Sequence, residues 1–344
     1  MSSFSDTPPE PTAQDATIFV TGVNTYIGSN LLKIFEKTKR YKNIIAVDYK
    51  RPSFTLKKAK FHKIDFTSPV ADEELFNLMR KERCDTLLHL NFLSNPSRSS
   101  GWAHELEVIG TLNVINAAQH YQPRKLIMRS STMVYGALPD NPNFLTEEHP
   151  LRGKHLGRFI KDKIEADEMI QQFGRRYPKT IVTILRVGAI LGPRVDSFIT
   201  RYLSGWIVPH LMGFDPLLQF VHEEDVVRAF IKAIDEDHPG IFNIIADGVL
   251  PLSVVLNKTG RLQLPMFHPL AYPFVGLLWT LNLSSAPSGH LDFLRYIWVA
   301  DGTKAMKQMG FKPKYSSMDA LDAALGTLRL KKLNLLEAAG GANQ

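Results

Sequence analysis

The stretch Thr17-Ile18-Phe19-Val20-Thr21-Gly22-Val23-Asn24-Thr25-Tyr26-Ile27-Gly28 constrains the chain more than any other. A β-branched, apolar run ends in a glycine turn, and apolar residues at helical spacing follow from Ile27 to Phe35. The pattern predicts strand, tight turn and helix. Such a turn gathers unpaired backbone N–H groups and the positive end of a helix dipole at one point, which suits a pyrophosphate. Gly22 permits the sharp turn, and Gly28 lets the helix pack close to the strand. Asn43-Ile44-Ile45-Ala46-Val47-Asp48 reads as a second strand ending in an acid about 20 residues past the turn, as a dinucleotide-binding fold requires. The plainer alternative is the strand–turn–helix of any α/β protein. Thr25 stands where a middle glycine is usual. Either its hydroxyl meets a phosphate oxygen or the turn is remodelled around it.

Strand-like and helix-like runs then alternate. Phe61 to Asp65 is a short strand, 70–81 a helix, Asp85 to Leu90 a buried strand, and Trp102 to His120 a long helix. Arg124 to Ser131, Gly157 to Phe173 and Thr180 to Arg186 continue as strand, helix, strand. Parallel strands with helices on both faces follow, in a doubly wound sheet whose ligands lie at the carboxyl ends of the strands. Past Gly192 the rhythm changes. Residues 195–217 read as loop and short helix, 218–222 and 241–245 as strands, and everything from Pro251 onward as helices and loops. The expected organisation is a disordered tail over 1–15, a dinucleotide-binding domain over 16–192 rejoined by 218–247, a substrate lobe of 193–217 and 248–330, and a flexible tail over 331–344.

Composition excludes several classes. A single cysteine, Cys84, allows no intramolecular disulfide, which fits a reducing, cytoplasmic setting. The start of the chain has neither a basic opening nor an apolar run, so it is no secretory signal. The net charge of +7 is concentrated: between Lys33 and Asp65 eleven Lys and Arg face three acids. No nucleic-acid motif and no aromatic platform accompanies them, so a solvated face near an anionic cofactor explains the charge better than attraction to an anionic membrane or nucleic acid does.

These residues resemble the extended short-chain dehydrogenase/reductase family, the NAD-dependent nucleotide-sugar epimerase and dehydratase type. Thr21-Gly22 through Gly28 is similar to its glycine turn, and His89-Leu90-Asn91-Phe92 to the motif ending its fourth strand. Ser130-Ser131-Thr132-Met133-Val134-Tyr135-Gly136 resembles its Ser-Ser-x-x-Val-Tyr-Gly strand. Leu185 to Pro193 and Phe220-Val221-His222-Glu223-Glu224-Asp225-Val226 resemble its later landmarks, and the likeness runs from about Ala16 to about Leu328. The resemblance implies a Rossmann-type α/β fold with a smaller, mostly helical C-terminal substrate lobe. It implies a cofactor held by Gly22, Asn24, Thr25, Tyr26, Ile27 and Gly28 at the phosphates, by Asp48 at the adenosine ribose, by Asp65 and Phe66 at the adenine, and by Leu90 and Asn91 beyond the fourth strand. Asp48 favours NAD, while Lys50 and Arg51 close behind it leave NADP as the alternative. No metal is implied.

In this family a Tyr and a Lys lie four apart on one helix face, beside a Ser or Thr. The ammonium lowers the phenol pKa, so the Tyr moves a proton while the nicotinamide moves hydride. Lys163 fits the lysine position and is expected to meet the nicotinamide ribose. The tyrosine position holds Phe159, which has no ionisable proton. Three readings stand: a degenerate site, a substitute proton carrier among Tyr135, His155 and Ser131 with Lys163, or a shifted helix alignment. His155 reads more simply as a surface or cap histidine, Tyr135 as a packing aromatic, and Ser131 as a strand-end hydroxyl.

Between Arg261 and Asp292 there is no Asp, Glu, Lys or Arg. Prolines at 265, 269 and 273 and the polar residues after 281 argue against a transmembrane span. Core packing of the small lobe is the expected role, with a greasy pocket wall or a patch for a membrane or partner as alternatives. The expected function is an NAD(P)-dependent oxidoreductase or epimerase/dehydratase acting on a small-molecule substrate, either apolar or a nucleotide sugar, with a homodimer compatible. A catalytically degenerate dinucleotide-binding sensor or scaffold is the rival.

Overall fold

The computed structural model describes residues 16–38, 41 and 43–327. The two expected tails, 1–15 and 331–344, lie outside the described residues. The chain opens with β1 (Thr17–Thr21), α1 (Tyr26–Lys37), β2 (Asn43–Asp48), β3 (Lys60–Lys63), α2 (Ala71–Glu82) and β4 (Cys84–His89). A continuous helical rod follows: α3 (Ser100–His104), a π turn over Glu105–Ile109 and α4 (Gly110–Tyr121). Next come β5 (Lys125–Ser131), α5 (Arg158–Arg176), β6 (Ile181–Val187) and β7 (Ala189–Leu191). The later part contains α6 (Phe198–Ser204), β8 (Ile207–Leu211), β9 (Leu217–Leu218), β10 (Phe220–His222), α7 (Glu223–Asp235) and β11 (Gly240–Ile244). It ends with β12 (Leu250–Pro251), α8 (Leu252–Thr259), β13 (Leu262–Met266), α9 (His268–Thr280), α10 (Thr303–Gln308) and helical backbone over 317–327.

Seven parallel strands form the main sheet in the order β11-β6-β5-β4-β1-β2-β3. Chain order reverses between β1 and β4, which opens a crevice at their carboxyl ends. The inner strands β1, β2 and β4 are buried on both faces, so their sequences are nearly unbroken apolar runs rather than alternating ones, whereas the edge strand β3 is exposed or half-buried throughout. β1 illustrates the consequence. Ile18 and Val20 pack into the layer under α1 and α7, while Phe19, pointing the other way, packs into the layer under α2, α4 and α5. A third apolar cluster joins the start of α5, α6, α8 and Trp298 in the C-terminal part.

Three features differ from the sequence expectation. The region from Pro251 onward is not helix and loop alone: β13 pairs in parallel with β8, itself inside the segment read as loop and short helix. Each strand carries a proline, at 209 and 265, which removes a ladder donor and hides the strand from pattern reading. The strand expected over 218–222 is broken at Gln219, whose side chain leaves the ladder to bond Ala246 and Ala300. Core packing does not describe 264–283. In α9 only Ala271 and Val275 are buried, and Leu270, Phe274, Leu277, Leu281 and Leu283 are exposed. No helix among the described residues is long and apolar enough to cross a membrane.

Candidate active site

The glycine turn is built by close approach. Gly22 has φ of +72°, and a Cβ there would lie 2.6 Å from backbone atoms of Leu90 and Asn91. A Cβ on Gly28 would lie 2.2 Å from the carbonyl oxygen of Gly22. Only glycine fits either place. Thr25 is used inside the turn: its hydroxyl donates to Gly22 O at 2.7 Å and accepts from Gly28 N at 3.1 Å, capping α1. The remodelled-turn reading therefore holds, and the hydroxyl is not aimed at a ligand. The first two N–H groups of α1, from Tyr26 and Ile27, have no acceptor within the helix.

The acid of the second strand meets this turn. Asp48 is buried, and its carboxylate accepts from Asn24 N at 2.9 Å and from Tyr49 N at 2.8 Å. Burial pushes its pKa up against those hydrogen bonds. Asn24 also reaches across to Lys50 O, so loop and strand end form one unit. Asp65 is exposed and accepts from Thr67 N and Oγ1, opening the turn into α2. Phe66 beside it is fully buried, and its carbonyl accepts from Asn113 at 2.9 Å. Leu90 and Asn91 close the crevice floor, and the buried amide nitrogen of Asn91 has no partner.

At the other end of the crevice a small cavity of about 60 Å³ is lined by Tyr26, Ile27, Arg129, Ser131, Phe159 and Lys163 together with neighbouring residues. The structure thus brings together Ser131, Phe159 and Lys163, which the sequence separates by up to 32 positions. Ser131 accepts from Met133 N at 3.3 Å, and its Oγ sits on the wall. Phe159 carries only its ring, with the Lys163 ammonium 4.2 Å from the centroid.

Lys163 corrects one expectation. Its three N–H donors go to Glu107 Oε1 at 2.9 Å, Glu107 Oε2 at 3.1 Å and Leu93 O at 3.0 Å, which leaves none for a ribose. Glu107 is the residue that sequence reading missed. The π turn of Glu105–Ile109 places it inward, where it also accepts from Leu93 N. Burial pushes the Glu107 carboxyl up and the Lys163 ammonium down, and their mutual attraction opposes both. An acid within an apolar helical stripe was its only sequence signal. Arg129 was missed too: its guanidinium lines the same wall, bonded to Phe92 O at 2.9 Å, with burial lowering its pKa to about 10.

Tyr135 is a second correction. It is fully buried away from the crevice, donates to Asn243 Oδ1 at 2.7 Å and accepts from Arg186 Nη1 at 3.1 Å. Burial pushes its pKa up to about 12, so it moves no proton near neutrality. His155 is exposed on the surface, 3.0 Å from Arg152 O, as a cap histidine would be. His104, Asp162 and Glu165 offer three ligand atoms within 4.8 Å of one another, yet the first two already bond each other at 2.9 Å.

Comparison with known proteins agrees with this architecture. The family model described as NAD dependent epimerase/dehydratase family matches residues 18–244. An uncharacterized protein of Mycobacterium tuberculosis is 30% identical over 319 residues, covering 89% of this chain and 82% of its own length. The UDP-glucose 4-epimerase of Thermotoga maritima, solved with UDP-glucose, superposes with a TM-score of 0.68 at 21% identity, covering 92% of this chain and 99% of that one. The UDP-glucose 4-epimerase of Thermus thermophilus, solved with NAD, gives 0.68 at 20% identity, covering 91% and 99%. The matched segment holds the glycine turn, Asp48, Ser131 and Lys163, and it spans well over half of the chain. The chain therefore belongs to the NAD-dependent epimerase/dehydratase family.

Proposed function

We propose that the chain binds NAD along the carboxyl ends of β1, β2, β4 and β5 and acts there as an oxidoreductase or epimerase/dehydratase on a small molecule, through a centre that lacks the family tyrosine. The observation that carries this reading is the glycine cradle stapled to Asp48. The cradle fits the group: a Cβ at Gly22 or Gly28 would fill it, two N–H donors of α1 face outward, and the Asn91 amide is an orphan needing an acceptor. Asp48 would hold the adenosine ribose and repel a 2′-phosphate, which favours NAD over NADP. NAD, when bound, supplies hydride acceptance or donation at its nicotinamide. In this chain Ser131 offers a hydroxyl on that wall beside the Arg129 guanidinium, and Glu107 with Lys163 is a buried, neutralised pair. Neither it nor Phe159 delivers a proton to a substrate oxygen.

Titrating NADH fluorescence against the protein is expected to saturate well below millimolar cofactor, with NADPH weaker. A linear, unsaturated response up to millimolar NADH would end the proposal.

A second reading, dinucleotide bound as a structural ligand without turnover, is favoured by the complete bonding of Lys163. Phe159→Tyr separates the two. Phe159 lines the crevice, so a para hydroxyl enters it beside the Lys163 ammonium. Restored proton transfer is expected to raise cofactor turnover by about 10²–10⁴-fold on an accepted substrate. No gain across a panel of nucleotide sugars and ketones would favour the structural-ligand reading.

A further inference from the structure

A second cavity, of about 460 Å³, adjoins the crevice. Met133, Phe198 and Ile199 line both. Its volume suits a whole small molecule. Its wall is apolar almost throughout, from α6, β8, α9 and the segment 283–298. Arg201 is the one Lys or Arg among the lining residues, and its guanidinium is held by Asp196 at 2.6 and 2.7 Å. The polar heads on the wall are turned to the protein: Tyr202 donates to Pro209 O at 2.7 Å, and Trp298 to Phe293 O at 3.3 Å. A diphosphate would find no unpaired cation here.

His290 is the exception. It is 6% exposed, lines the cavity, and neither ring nitrogen has a hydrogen-bond partner. Buried polar groups are normally bonded, so an orphan imidazole in the lining of an apolar cavity marks the place of a ligand's polar atom. Its ring lies 5.0 Å from that of Phe198 and 5.8 Å from that of Phe159, at the partition between cavity and crevice. Burial, with the nearby Lys163 ammonium, pulls its pKa down to about 4, so the imidazole is neutral and offers one donor and one acceptor. The outer wall is greasy as well: Leu264, Phe274 and Leu283 line the cavity and are themselves exposed. A lipophilic molecule can therefore enter without crossing a polar rim.

We infer that this cavity is the substrate site and takes a lipophilic secondary alcohol or the corresponding ketone, its oxygen hydrogen-bonded to His290 next to the cofactor crevice. This names the substrate class of the NAD site proposed above and rests on that reading for its chemistry. The binding claim itself stands on the cavity.

The test uses the full chain with nonan-2-one and nonan-2-ol, butylbenzene as an oxygen-free control, and UDP-glucose as competitor. Tryptophan fluorescence gives the dissociation constants, since Trp298 lines the cavity. Nitrogen-15 shifts of the labelled histidine rings report the bond itself. Both oxygenated probes are expected to bind and to shift the His290 ring nitrogens, with no competition from UDP-glucose. His290→Phe is expected to weaken them about tenfold, as loss of one hydrogen bond does, and to leave butylbenzene unchanged. Binding without a His290 shift in the native chain, an equal loss for all three probes, or displacement by UDP-glucose would overturn the inference. The native-chain shift decides the matter if the variant fails to fold. NADH titration of the same samples separates the two proposals. Retained NADH binding without ketone binding removes only this one, and ketone binding without NADH binding removes only the cofactor reading.

Discussion

Asp167→Ala is expected to cost about 3–5 kcal/mol of folding free energy, the usual result of stripping the partner from a buried charge. Arg186, on β6, is 1% exposed, and Asp167, on α5, is fully buried. The pair is bidentate: Arg186 Nε donates to Asp167 Oδ2 at 3.0 Å, and Nη2 to Oδ1 at 2.8 Å. Ser130 donates to the same carboxylate at 2.5 Å, and Arg186 Nη1 reaches Tyr135 and the Glu147 carbonyl. Asn243 on β11 completes the set through Tyr135, Leu145 O and Asp301 O. One network therefore ties β5, β6, β11 and α5 together directly behind Ser131. The pair holds the guanidinium pKa above its ordinary value; in the variant that support is gone, yet the ordinary arginine pKa is high enough that Arg186 stays charged, buried and without its counter-ion. Urea unfolding should show the loss as a lower midpoint. Asp167→Asn, which keeps one acceptor and the volume, should lose less, and Asp167→Leu with Arg186→Met less than Asp167→Ala alone. A midpoint for Asp167→Ala equal to that of the native chain would mean the network contributes nothing.

The same network shows what could be read from the sequence and what could not. The strand, the turn and Asp48 were legible because their constraints are local. A backbone that must pass within 2.6 Å of Leu90 and Asn91 tolerates only glycine at 22, and a strand buried on both faces writes itself as an apolar run. The long helix was legible as a helix, but its π turn was not, because one extra residue per turn leaves the apolar spacing almost intact while it rotates Glu107 inward. Glu107 and Lys163 lie 56 positions apart, and nothing local announces their pairing. Tyr135 looked like a site residue because a tyrosine after Ser131 sits close in sequence. The short turn of Thr132–Tyr135 instead aims it at Asn243, 108 positions away. His290 had no signal at all: its meaning comes from the apolar shell that several elements far apart in sequence close around it. β8 and β13 were hidden for a related reason, since two short proline-bearing strands become strands only by finding each other.

Stability is expected to fall by about 4 kcal/mol between pH 7 and pH 5, through two buried histidines. His89 is fully buried between two hydroxyls, Thr21 Oγ1 and Thr111 Oγ1, each 2.9 Å from a ring nitrogen. Burial alone pulls its pKa from 6.5 to about 3, and burial with the nearby Lys163 ammonium pulls that of His290 from 6.5 to about 4. In the unfolded chain both rings take up a proton as pH drops through about 6.5. In the folded chain they remain neutral until pH 4 or below. The unfolded state therefore binds more protons throughout this window, so the stability present above pH 6.5 is lost as pH falls, by about 1.4 kcal/mol per ring per pH unit. Asp48 and Glu107 act in the opposite sense, because burial raises their carboxyl pKa values and the folded state takes those protons first. Subtraction isolates the rings. Urea midpoints of the native chain and of His89→Gln with His290→Phe, measured from pH 7 to pH 5, should diverge in slope by close to two protons. Parallel curves would show that both rings reach solvent and titrate as they do in the unfolded chain.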